Sequence, residues 1–151
     1  MTLRSRPRLA VRGLIFRGER LLLVNAWPDG KSDLMCAPGG GVEPHQSLPE
    51  NLAREIHEET GLTVEVGAPV MVNEFHDPDS PFHQVDNYFR CTVIAGDPDG
   101  AWTDPEGVVT ERRWVTRDEL AGLRVKPDSL AEVAWDQTAT AFYDPLEPLL
   151  R

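Results

Sequence analysis

The order of apolar and polar positions along the chain divides it into short elements. Residues 8–17 and Arg20–Ala26 are apolar and rich in strand formers, and Gly18-Glu19 between them reads as a hairpin turn. Trp27–Ser32 carries Pro, Asp, Gly and Lys and reads as a loop; Asp33–Ala37 is a short strand ending at Pro38. Gly39-Gly40-Gly41 predicts a further loop, because three glycines lose much conformational entropy inside an element. A helix follows over Leu48–Thr60. Ser47 and Glu50 form a capping box, Pro49 suits the first turn, Leu48, Leu52 and Ile56 make an i+4 stripe, and Gly61 ends it. Strands are expected at Leu62–Val66, Val70–Phe75, Gln84–Ala95 and Thr110–Val115, with loops at His76–Pro81 and Gly96–Gly107. A short helix at Arg117–Leu123, capped by Thr116, and another at Asp128–Trp135 complete the pattern; the tail from Tyr143 is broken by prolines. Strands outnumber helices, and hairpins alternate with helices. That favours an α+β fold with a mixed sheet over a doubly wound one.

The 151 residues suit one domain over 1–151, large enough to bury a core without disulfides. The formal net charge of −10 opposes binding nucleic acid through a basic face. It also sets a puzzle for any phosphate ligand, which a bound divalent cation would solve by reversing the local field. Cys36 and Cys91 lack metal-ligand spacing and read as buried free thiols. The basic N-terminal stretch has no apolar segment after it, and no run reaches transmembrane length, so the expectation is a cytoplasmic protein with no membrane partner.

Glu55, Glu58 and Glu59 stand at i, i+3 and i+4, which sets three carboxylates on one side of a single helical turn. An acidic run is most often a solvated face. Here the like charges repel, Glu58 and Glu59 sit where the helix dipole disfavours anions, and Glu59 continues the apolar stripe of Leu52 and Ile56. Such placements call for a compensating charge. Oxygen donors favour a hard divalent ion, Mg²⁺ first, with Mn²⁺ as a substitute. Arg54 can pair with Glu50 along the helix, and can also orient a carboxylate by charge-assisted hydrogen bonds. His57 lies on another side of the helix and reads as a surface or packing residue.

From Gly40 the chain runs five residues to Gln46, then seven to Arg54-Glu55-Ile56-His57-Glu58-Glu59-Thr60-Gly61-Leu62. This resembles the box of the Nudix hydrolase family, with Gln46 in place of that family's Glu. At average residue frequencies the matched positions arise by chance with a probability on the order of 10⁻⁸ per starting point. Pro38-Gly39-Gly40, Glu43, Arg113-Trp114-Val115 and Asp118-Glu119-Leu120 extend the similarity over most of residues 8–123. His45 stands where a Gly is common, and Met35 and Ala37 replace bulkier residues before Pro38.

The resemblance implies an α/β/α sandwich with a mixed sheet and a loop–helix–loop box. It implies Glu55, Glu58, Glu59 and the Gly39 carbonyl as metal ligands, Arg54 as the residue that orients the glutamates, and Glu55, or an acid from another loop such as Glu111, as general base. The implied activity is Mg²⁺-dependent hydrolysis of a phosphoanhydride bond in a nucleoside diphosphate linked to another group, by in-line attack of water. Trp27, Phe75, Phe82 and Tyr88 could stack a base, and Arg12, His76 and His83 could meet sugar or phosphate; each has an equally good reading as core or surface. The expected partner is a small nucleotide-type molecule, and the expected assembly a monomer or homodimer. Two other readings stand beside this one. A non-catalytic nucleotide-sensing module is kept alive by Gln46. A calcium-stabilised structural protein is disfavoured, because the acids lack EF-hand spacing.

Overall fold

The computed structural model describes residues 6–136 and 141–151; the start of the basic N-terminal stretch lies outside them. Strands β1 (Arg8–Arg17) and β2 (Arg20–Asn25) form the expected hairpin, with Arg17 opposite Arg20 and Gly18 at φ 59° in the turn. β3 (Met35–Cys36) and β4 (Gly39–Gly41) lead to helix α1 (Leu48–Thr60). Two long strands follow, β5 (Thr63–His76) and β6 (His83–Ala95), then β7 (Arg112–Val115) and helices α2 (Arg117–Ala121) and α3 (Leu130–Trp135). β8 (Phe142–Tyr143) and β9 (Glu147–Pro148) end the chain.

The sheet runs β3-β2-β1-β6-β5-β8, with β4 on β1, β7 on β2 and β9 on β5. β1 is its hinge. One side of β1 pairs parallel with β6 from Arg8 to Ile15. The other side pairs with β4 at Ala10–Arg12 and with β2 at Phe16–Arg17, so the sheet forks. Each face is covered. Val11, Ile15, Leu22 and Phe89 pack with Leu52 and Ile56 of α1. Leu14, Leu21, Leu23 and Val115 pack with Leu120 of α2 and with Leu130 and Val133 of α3. The alternation Leu21/Leu22/Leu23 between two cores is the period of a strand buried on both faces, and explains why the run is continuously apolar. Leu52 and Ile56 are fully buried, worth about 1.5–3 kcal/mol each, and they fix which side of α1 faces away from the sheet.

Several elements differ from the sequence reading. Gly39–Gly41 is a strand rather than a loop, with Gly39 opposite Arg12 and Gly41 opposite Ala10. The glycines are there for close approach: a Cβ on Gly39 would collide with the Val11 carbonyl, and one on Gly40 would lie 2.6 Å from the Glu55 carboxylate. The two strands expected at Leu62–Val66 and Val70–Phe75 are one, because Gly67-Ala68-Pro69 makes a bulge, with register shifts on both sides of Pro69, and does not end the strand. The strand expected at Asp33–Ala37 shrinks to Met35–Cys36, and the tail, read as merely broken, adds two short parallel pairings to the edge of β5. Among the described residues no helix is long and apolar enough to cross a membrane.

Candidate active site

α1 begins and ends as its sequence dictates. The Glu50 N–H donates to Ser47 Oγ at 3.1 Å and the Ser47 N–H to Glu50 Oε2 at 3.2 Å. At the other end Gly61 turns left-handed (φ 75°), and its N–H reaches the His57 carbonyl at 2.9 Å. The next carbonyls are taken by the loop beyond β6 and by the first residue of β7. Trp102 Nε1–H donates to the Glu58 carbonyl at 2.8 Å, and Arg112 donates to the Glu59 carbonyl at 2.9 Å and to the Trp102 carbonyl at 2.6 Å. The last turn, which carries the acids, is therefore held from outside the helix, and the Arg112 cation opposes the negative end of its dipole. His57 is exposed, its ring edge-on to Trp102 at 5.3 Å.

Arg54 lies among the acids. Its Nη1 stands 3.2 Å from Glu55 Oε1 and 3.5 Å from Glu58 Oε1, and its Nη2 3.9 Å from Glu43 Oε2. Asn51, wholly buried one turn earlier, holds the fork, accepting from Arg54 Nη2 at 2.9 Å. The same Asn51 side chain accepts from the Glu43 N–H and donates to the Gln46 and Ser47 carbonyls, which pins the loop between β4 and α1. Nothing in the sequence reading marked Asn51; its signal is a weak helix former in a helix interior, one turn ahead of Glu55. In that loop His45 takes φ 71°, a left-handed conformation suited to the glycine that is common there. Gln46 is exposed.

Glu59 points the other way, into the protein. Its Oε2 accepts the Gly39 N–H at 3.1 Å, and the residue is only 8% exposed. Burial pushes its carboxyl up to about 8, against the pull of Arg12 and the Gly39 N–H, with Glu55 and Asp104 adding to the rise. Burial also raises Glu55; Arg54 opposes that, and Glu58 adds to it. Burial disfavours the Arg54 cation, but the charges of Glu55, Glu43 and Glu58 outweigh this and hold it above its usual range.

Among the described residues no three acidic, His or Cys side chains are already gathered around one point. Glu55 and Glu58 face Arg54, and Glu59 faces Gly39. The donor set nonetheless fits a hard cation. It is all oxygen, a buried carboxylate stands close to a second one, and Gly40 leaves the Glu55 carboxylate room that a Cβ would fill.

Arg12 joins this turn to a cavity of about 220 Å³. Arg12 sits opposite Gly39 in the sheet and donates to the Ala37 carbonyl at 3.3 Å and to Asp86 Oδ1 at 3.3 Å. Burial works against its charge, but Asp86 foremost, then Cys36, Tyr88 and Glu59, keep it firmly protonated. Trp27, Tyr88, Phe75 and Phe82 line the cavity with Arg12, so the structure collects these aromatic candidates in one place. His76 and His83 fall at a separate open recess, His83 3.1 Å from Glu74. Glu111 is not among the cavity residues. It is exposed, its carboxylate 3.5 Å from Arg113, and its N–H donates to Asn25 Oδ1. Cys36 lines the cavity and Cys91 packs under α1; both are free, and burial raises their thiols to about 11 and about 12.

This architecture, a forked mixed sheet between α1 and the α2–α3 pair with an Arg-Glu-Glu-Glu turn against a glycine strand, defines a family. The model for the NUDIX domain matches residues 6–138, and the chain belongs to that family. It is 33% identical over 93 residues to a putative ADP-ribose pyrophosphatase, YjhB, of Bacillus subtilis (strain 168), covering 60% of this chain and 43% of the relative. It is also 33% identical over 91 residues to an ADP-ribose pyrophosphatase of Methanocaldococcus jannaschii, covering 60% of this chain and 54% of the relative. The chain thus spans about half the length of these curated relatives. A solved NUDIX hydrolase from Nitrosomonas europaea superposes with a TM-score of 0.72 at 21% identity, over 87% of this chain and 88% of that one, which shows a shared fold.

Proposed function

We propose that this chain hydrolyses a phosphoanhydride bond in a nucleoside diphosphate linked to another moiety, with Mg²⁺ held by Glu55, Glu58, Glu59 and the Gly39 carbonyl. The observation that carries the reading is the last turn of α1. It brings Arg54 and three carboxylates against a glycine strand, and Arg12 ties it to an aromatic cavity. The two pyrophosphatases named above support the class of reaction. They leave open which diphosphate compound this chain takes.

The bound cation would offset charge on the diphosphate oxygens and lower the pKa of a coordinated water. The protein does the rest. Arg54, fixed by Asn51, keeps Glu55 and Glu58 turned to one side of the helix. Glu55, whose carboxylate packs against Gly40, would take the proton of the attacking water. Arg12, on the cavity wall opposite Gly39, would bind a phosphate oxygen, and Trp27 would offer a face for a base; Tyr88, only 2% exposed, is packed into the core and serves as cavity wall.

The test is a panel of nucleoside triphosphates, nucleotide sugars, ADP-ribose and dinucleoside polyphosphates with Mg²⁺, following released phosphate and mononucleotide. We expect turnover of at least one class, abolished by chelation. A folded protein that binds these nucleotides tightly and cuts none would favour the sensing module instead.

A further inference from the structure

β1 and β6 carry a row of polar side chains that the metal-binding turn does not use. They run parallel, with Arg8 opposite Gln84, Ala10 opposite Asp86 and Arg12 opposite Tyr88. Alternate residues of a strand share a face, and Arg8, Arg12, Gln84, Asp86 and Tyr88 all line the cavity. Asp86 is 1% exposed and Gln84 7%, burial that such groups tolerate only with partners. Part of their capacity is used. Asp86 Oδ1 accepts from Arg12 Nε at 3.3 Å and from Gln84 Nε2 at 3.0 Å, and Gln84 Oε1 accepts from Arg8 at 3.3 Å. Asp86 Oδ2 and the second hydrogen of Gln84 Nε2 make no hydrogen bond among the described residues. Both residues line the cavity, which therefore borders a carboxylate and an amide 3.0 Å apart, each with hydrogen-bonding capacity to spare.

The rest of the lining is mostly apolar, with Trp27, Phe75 and Phe82 as its aromatic part, and Lys126, which also lines the cavity, is tied to Asp128 and Glu147. At about 220 Å³ the space is smaller than the roughly 300–1,000 Å³ of sites that enclose a whole drug-sized ligand. It takes one part of a ligand. A planar heterocycle with an N–H beside a ring acceptor or carbonyl satisfies the walls and the floor together, and that is the edge of a nucleobase. A bare sugar phosphate would leave the aromatic walls unused, and a cationic ring would meet Arg8 and Arg12.

We propose that Asp86 and Gln84 read the hydrogen-bonding edge of the substrate's base, and so set which nucleotide this chain selects. The inference rests on the nucleotide reading above and gives its specificity to two residues. It is tested without metal and without turnover. AMP, GMP, CMP, UMP and ribose 5-phosphate are titrated calorimetrically in the presence of chelator, and the indole ¹⁵N–H resonance of Trp27, assigned through Trp27→Phe, reports occupancy of the cavity. The preferred mononucleotide should bind at least tenfold more tightly than ribose 5-phosphate and move the Trp27 resonance. Asp86→Asn, which replaces an acceptor by a donor, should reorder the bases by tenfold or more. Gln84→Met leaves the Arg12–Asp86 pair in place and should weaken the preferred base about tenfold, so it decides the matter if Asp86→Asn does not fold. Equal binding of ribose 5-phosphate, or an unchanged order in the folded variants, would overturn the proposal. Hydrolysis without base preference would remove this inference alone. Base-selective binding with no hydrolysis of any compound in the panel would remove only the hydrolase reading.

Discussion

At the scale of single residues, the site is held in tension by its own charges. Glu59 shows it best. A carboxyl that titrates near 4.5 when unfolded and at about 8 when folded binds its proton more tightly in the native state. Between those values the unfolded chain has released the proton and the native one has not, so metal-free stability is full below about pH 4.5 and falls as pH rises toward 8. Glu59→Gln keeps an acceptor for the Gly39 N–H and removes the titration. Without metal it should match the wild type near pH 4.5 and be more stable at pH 8 by about 3–5 kcal/mol, read from urea midpoints at the two pH values. With Mg²⁺ present the order at pH 8 should reverse, because the wild type then gains a ligand that the variant binds weakly. A variant that is less stable than wild type at pH 8 without metal would show that the buried carboxylate is already compensated.

At the scale of elements, α1 is the part that could be read most fully in advance. Its cap, its apolar stripe and its terminal glycine all agree, so the bounds Leu48–Thr60 follow from local chemistry alone. What could not be read is how its last turn is held. Trp102 and Arg112 come from a loop and a strand more than forty residues away, and nothing local in the sequence marks them as partners of the Glu58 and Glu59 carbonyls. The same limit hid β4. Three glycines mean flexibility when considered locally, and become necessary only once β1 and Glu55 crowd against them. Arg112→Met keeps the side-chain stem and removes the bonds to the Glu59 and Trp102 carbonyls. It should cost about 1–3 kcal/mol at unchanged denaturant slope. Amide exchange should quicken in the last turn of α1 ahead of its first turn. A uniform change along the helix would contradict the idea that the acids are held in place from outside.

At the scale of the whole molecule, sequence pattern and structure agree on class and diverge on connection. The excess of strands over helices, with hairpins alternating with helices, foretold a mixed sheet, and both of its faces are covered. The parallel pairing of β1 with β6 joins residues more than seventy positions apart, and it is this pairing that brings Arg12 to Asp86 on one wall of the cavity. Trp27, Tyr88 and Arg12 could be nominated singly, by type; Gln84 and Asp86 could not, because polar residues on a strand read as its solvent side until the opposite face is seen to be filled. The negative overall charge also gains a location. Glu55, Glu58 and Glu59 concentrate acid where a cation would sit, while Arg8 and Arg12 face the cavity. The central claim is that these three carboxylates support hydrolysis through a divalent cation. It is tested most directly by measuring kcat against Mg²⁺ concentration, on the best compound of the panel, for the wild type and Glu58→Gln. The account predicts a rate that saturates with Mg²⁺ in the wild type and falls by about 10²–10³-fold in the folded variant even at saturating metal. Equal rates in the two proteins, or wild-type turnover that persists in chelator, would contradict it.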